Sequence, residues 1–149
     1  MVVKNEMTEA MEIVAPRILE ESAYLFCEPL DAPDEPGDGW APVGVELGWE
    51  GPSGGKMRIW ADQGLLPVLA ANMLGVEEDD PVCSEKGMDA LKEILNMIVG
   101  NCLTEAWGPG PVFHLHIPTS VGRAAFEPDR VDGIWQSIEG RPVLLWCGG

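Results

Sequence analysis

The amino-acid sequence predicts an α+β domain in which two or three helices, one of them long, pack on a largely antiparallel sheet of about five to six strands. Three features lead there. Residues 84–106 keep helical periodicity with no internal proline. Residues 43–49 alternate with period two, and 57–61 follow as a second strand across a glycine-rich turn. The order of elements, helix, two strands, two helices, then three or four strands, lacks the strict alternation of a parallel doubly wound sheet. With 149 residues, 46% of them hydrophobic, the chain can bury one core, and residues 1–149 are read as a single domain.

Thr8 is a plausible N-cap for a first helix ending near Phe26, with apolar positions at Met11, Ile13, Val14, Ile18, Leu19, Leu25 and Phe26. Pro16 is tolerable there only near the start or at a kink. Residues 29–39 are acidic and rich in proline and glycine, which reads as an exposed loop. The strand, turn, strand of 43–61 follows, then a shorter helix over 65–74 with Gly75 in the C-cap place. Glu77-Glu78-Asp79-Asp80 is an acidic loop leading to the long helix, which Gly108-Pro109-Gly110-Pro111 stops. Residues 112–117, a short segment near 121–126, 134–138 and 143–146 read as strands, the last two joined across Glu139-Gly140-Arg141-Pro142.

Twenty-five acidic against nine basic residues give a formal charge of -16. Phosphate backbones and anionic membranes need clustered Lys and Arg, so neither nucleic acid nor membrane is expected as a partner. No apolar run approaches the roughly 20 residues that span a bilayer. Cys27, Cys83, Cys102 and Cys147 are scattered with no C-x-x-C pair, which suits reduced thiols in a cytoplasmic protein. His114 and His116, two apart, share one side of a strand, but no third ligand accompanies them and no metal site is assigned. The six tryptophans are read as packing residues and Gly51 to Gly55 as a turn, since it lacks the phosphate-loop pattern.

On the long helix, Met88, Leu91, Leu95, Ile98 and Cys102 form the stripe that must be buried, and Glu93, Asn96 and Gly100 fall roughly opposite. A solvated face usually carries mixed long charged side chains. This one offers an acid, an amide and a glycine that keeps no partner away, with Met97 as an adaptable apolar neighbour. Lys92 and Asn101 lie on its flank. A faint echo places Ile18 to Tyr24 over Leu91 to Asn96, but that stretch has an acid and no Asn, so at most one copy is complete.

Ala90-Leu91-Lys92-Glu93-Ile94-Leu95-Asn96-Met97-Ile98-Val99-Gly100-Asn101 resembles the helix signature of the CheC/CheX/FliY chemotaxis phosphatases, centred on E-x-x-N. Gly55-Lys56-Met57-Arg58-Ile59, Ala70-Ala71-Asn72-Met73-Leu74-Gly75 and Phe113-His114-Leu115-His116-Ile117-Pro118-Thr119 are similar to segments of the CheX branch. The resemblance covers roughly residues 8–147 and implies a phosphatase that hydrolyses the phosphoaspartate of a CheY-type response regulator. It implies Asn96 and Glu93 as catalytic pair, Asn96 placing the attacking water and Glu93 pairing with the regulator's lysine. Met97 and Gly100 would touch the partner. The protein would need no cofactor of its own, the Mg²⁺ being the regulator's, and would form a homodimer through sheet edges. The alternative is a non-catalytic binding or dimeric assembly module that recognises a receiver domain.

Overall fold

The computed structural model describes residues 6–30, 41–126 and 133–148. Three helices lie on one face of a seven-stranded, wholly antiparallel sheet. They are α1 (Glu6–Ala23), α2 (Leu66–Leu74) and α3 (Pro81–Trp107). The strands are β1 (Cys27–Pro29), β2 (Pro42–Glu50), β3 (Gly55–Asp62), β4 (His114–Leu115), β5 (Thr119–Val121), β6 (Gly133–Ile138) and β7 (Arg141–Gly148). Their order across the sheet is β1-β6-β7-β3-β2-β4, with β5 also paired to β2. The α+β class and the long helix are as the sequence predicts, and the strand count is higher than the expected five to six.

Alternation along the strands sends Val45, Leu47, Trp49, Met57, Ile59, Ala61, Val143, Leu145 and Cys147 into the main core against the helices. The intervening positions build a second buried layer, where Trp60, Leu144 and Trp146 are almost fully covered. Phe126 meets Trp60 edge-on at 5.1 Å, and the Arg58 guanidinium lies 5.1 Å above the Trp146 ring while its Nε bonds Glu46 at 2.7 Å. Trp49, Trp60 and Trp146 therefore pack as expected, whereas Trp107 stands 38% exposed at the end of α3.

Several boundaries differ from the sequence reading. Thr8 is a buried residue inside α1 instead of its cap, and α1 ends three residues earlier than Phe26. Tyr24, at φ 56°, turns the chain so that the Leu25 N–H reaches the Leu19 carbonyl at 3.0 Å, which frees residues 27–29 to become an edge strand. Pro16 lies in mid-helix; it gives no N–H to the ladder, and the buried row Met11, Val14, Ala15, Ile18 and Leu19 holds the helix there. Pro29 closes β1, and the rest of the 29–39 loop beyond Leu30 lies outside the described residues.

Of the expected 112–117 strand, His114 and Leu115 pair with β2 and the His116 N–H reaches the Gly48 carbonyl at 2.8 Å, while Phe113 packs beside Trp107 with ring centroids 6.5 Å apart. The segment near 121–126 splits into the end of β5 and one 3-10 turn at Arg123–Ala125. The β6–β7 hairpin is tighter than expected, since Glu139 (φ 52°) and Gly140 (φ 77°) alone make the turn and Arg141 already pairs with Ile138.

The long helix exceeds the expected 84–106 by a turn at its start. Asp80 caps it by accepting from the Val82 N–H at 3.0 Å, and Pro81 occupies the first turn, where a missing N–H costs nothing. Gly108, at φ 80°, stops it. α3 packs against both α1 and α2 as well as the sheet. Close approach of α2 depends on Gly87, where a Cβ would stand 2.7 Å from that of Leu66. Asn72 ties α2 to the end of α1 by donating to the Ala23 carbonyl at 2.8 Å.

Candidate functional site

One side of α3 is consumed by the core. Leu91, Leu95, Ile98 and Cys102 are buried as the stripe predicts, whereas Met88 is only half-buried. Gly87, Ala90, Ile94, Val99 and Leu103 widen the buried face. What remains outward is a ridge carrying Glu93, Asn96, Met97 and Gly100, so the residues singled out by spacing do share one surface.

Their side chains are in different states of commitment. Glu93 is exposed, and among the described residues it makes no ion pair. Asn96, one turn further on, is half-buried, and among the described residues its carboxamide makes no hydrogen bond. An amide held at a helix surface without partners is free to accept and donate at once. Met97 is half-buried and packs on the core, so it supplies a firm apolar flank instead of a fully solvent-facing side chain.

The polar neighbours, by contrast, are spent on the helix itself. Asn101 Nδ2 donates to the Met97 carbonyl at 2.8 Å, and Thr104 Oγ1 donates to the Gly100 carbonyl at 3.3 Å. A Cβ built on Gly100 would meet nothing within 4 Å. Nothing in the fold therefore demands a glycine there. Its effect is to leave bare backbone one turn beyond Asn96.

Towards α2 the ridge drops into an apolar groove of roughly 310 Å³ lined by Ala70, Met73 and Leu74 of α2 and by Val82, Lys86, Asp89, Ala90 and Glu93 of α3. Lys86 and Asp89 pair across 3.7 Å on the rim. Sequence reading missed this groove, because its lining is divided between α2 and α3 and neither helix shows it alone.

The remaining candidates lie elsewhere. His114 sits opposite Glu50 in the β2–β4 pairing, and His116 Nε2 is 3.8 Å from Glu50 Oε2, so both belong to the sheet and not to the α3 ridge, and both are exposed. Among the described residues no three His, Cys, Asp or Glu side chains are grouped to hold a metal. Glu20 and Glu21 are exposed on α1, with no Asn at the overlaid position. Cys102 and Cys27 are poor nucleophiles. Burial, helped by Cys147 and Glu105, pushes Cys102 up to about 12, and burial with the charge of Glu20 pushes Cys27 up to about 11.

Residues 43–139 match the family model described as chemotaxis phosphatase CheX. No curated protein sequence matches the chain. Among solved structures, the chain is similar to chemotaxis protein CheX from Vibrio vulnificus, at 20% identity with a TM-score of 0.75 over 99% of both chains. A CheX–CheY–BeF3–Mg complex from Borrelia burgdorferi matches at 19% identity and TM-score 0.69, covering 94% of this chain and 95% of that one. Thermotoga maritima FliY matches at 16% identity and TM-score 0.53, over 97% of this chain and 91% of that one.

Proposed function

This chain belongs to the chemotaxis phosphatase CheX family, and from that membership we propose that it hydrolyses the phosphoaspartate of a CheY-type response regulator across the outward ridge of α3. The observation that carries the proposal is the pair of uncommitted groups one helical turn apart, the Glu93 carboxylate and the Asn96 carboxamide. The family likeness includes a relative solved with CheY, BeF3 and Mg.

Phosphoryl transfer asks for little covalent work from the protein, so positioning and charge supply most of the acceleration. In the proposed reaction a water oxygen attacks the phosphorus from the side opposite the aspartyl oxygen. The bond from phosphorus to that oxygen breaks, the aspartate leaves as carboxylate, and the water's proton passes to the released phosphate or to solvent. Asn96 accepts from the attacking water through its side-chain oxygen and donates to a phosphoryl oxygen through its nitrogen, which fixes the line of attack without a general base. Glu93 pairs with the lysine beside the regulator's phosphorylation site and sets the register of docking. Gly100 and the Met97 flank complete the contact, one by clearance and the other by apolar surface.

Mg²⁺ in this scheme belongs to the regulator, where it would neutralise phosphoryl charge. A homodimer joined at sheet edges and a cytoplasmic location complete the proposal; no helix among the described residues is long and apolar enough to cross a membrane. The test follows loss of phosphate from a panel of phosphorylated CheY-type receivers with and without the protein. Acceleration that Asn96→Ala removes and Glu93→Ala weakens supports the reading. Binding of the receiver with no acceleration would make the chain a recognition module instead.

A further inference from the structure

The groove between α2 and α3 shares a wall with the proposed site, because Glu93 lines both. Its lining by Ala70, Met73, Val82 and Ala90 is apolar, and Leu74 stands 52% exposed at its mouth, with Val76 38% exposed two residues on. The fold does not need Leu74 there. Gly75, left-handed at φ 73°, ends α2 immediately after it and returns its N–H to Ala71, whatever side chain precedes it.

Charge narrows what the groove can take. Lys86 faces Asp89 at 3.7 Å, so among the described residues the groove charge without an ion pair is the Glu93 carboxylate. Glu77, Glu78 and Asp79, in the connection between α2 and α3, line a separate hollow with Pro67 of α2 and Ser84 of α3, so acids also accompany the start of α3. An apolar groove framed by acids repels an anionic lipid headgroup. It suits an apolar side chain displayed among basic residues.

Resting on the proposed function, we infer that this groove is the apolar half of the docking surface, and that it receives one bulky apolar side chain of the receiver domain next to the lysine that Glu93 holds. The volume of roughly 310 Å³ leaves room for a side chain of aromatic size. Such an anchor in a pocket beside a charged pair is the arrangement in which a few residues dominate binding. Glu93 would then set register from one side and the apolar anchor from the other, which holds the receiver in one orientation over Asn96.

Two variants test the groove without touching the ridge. Ala90→Met fills the groove, and Leu74→Lys places a charge at the mouth in the last turn of α2, where a cation agrees with the helix dipole. Each is measured for thermal unfolding, for KM and kcat on a phosphorylated CheY-type receiver, and for affinity towards the BeF3-loaded receiver. The expected result is KM and Kd raised about five-fold or more, about 1 kcal/mol, with kcat within about two-fold and unfolding unchanged. Unaltered KM and Kd in both variants, alongside a weakened Glu93→Ala, would overturn the groove and leave the phosphatase reading standing. Loss of a dimer with unaltered KM would assign the groove to a second copy and overturn it too. Failure of wild type to act on any receiver tested would overturn the phosphatase reading and this inference together.

Discussion

Replacing Gly100 by alanine should make the protein more stable and a worse partner at once. The residue sits inside the 27-residue α3 with an ordinary helical backbone, and a Cβ there meets nothing within 4 Å. Alanine in a helix interior is favoured over glycine by about 0.5–1 kcal/mol. For a chain of this size that raises Tm by roughly 2–3 °C. If a receiver packs against this stretch of backbone, the added methyl overfills a close contact, at a cost of about 1 kcal/mol or more. KM should rise about five-fold, and Gly100→Leu should raise it further. Gly87→Ala is the internal contrast, because its Cβ would lie 2.7 Å from that of Leu66 and 3.3 Å from the Leu66 carbonyl carbon. That variant should lose about 1–2 kcal/mol and leave KM alone. Urea unfolding and steady-state dephosphorylation measure both quantities. A destabilised Gly100→Ala would refute the account of open space, and a stabilised variant with unchanged KM would remove Gly100 from the contact.

Glu93→Ala should raise KM about ten-fold while leaving kcat within about two-fold, since one charge-assisted pair is worth about 1.5 kcal/mol or more; the salt dependence of KM should flatten as well. A fall in kcat at unchanged KM would give Glu93 a chemical role instead. The thiols predict how stability varies with pH. Cys102, pushed up to about 12, and Cys27, pushed up to about 11, both hold their protons more tightly when folded than at the ordinary 9.0. Below pH 9 both folded and unfolded chains are protonated and this stabilisation is complete. Above it the unfolded chain releases protons first, so stability falls as pH climbs from about 9 towards 12. Urea midpoints between pH 8 and 10.5 should decline. Alkylation of Cys102 in the native protein at pH 8, at the rate of a small thiol, would contradict its burial.

Most of the ridge was legible from spacing alone, because a helix that must bury Leu91, Leu95 and Ile98 has no choice about where Glu93 and Asn96 point. Other features were decided by neighbours distant in the chain. Cys27-Glu28-Pro29 has no strand signature; it becomes β1 because β6 offers Ser137 and its neighbours an open edge. The expected strand over 112–117 is shorter, with His114 and Leu115 paired to β2 and Phe113 set against Trp107. Asp80-Pro81 did carry a start signal for α3, a cap followed by a proline in the first turn, yet its acidic neighbours read more readily as loop. The groove could not be seen from either helix singly, since α2 supplies one wall and α3 the other.

Asn96→Ala tests the central claim most directly, because the fold makes no use of the carboxamide among the described residues. The measurement is the lifetime of the phosphoryl group on a CheY-type receiver at saturating protein, paired with affinity for the BeF3-loaded receiver. The account predicts acceleration reduced about 100-fold or more, as for loss of a group that acts only in the transition state, with Kd within about three-fold. Undiminished acceleration by a folded Asn96→Ala would contradict it.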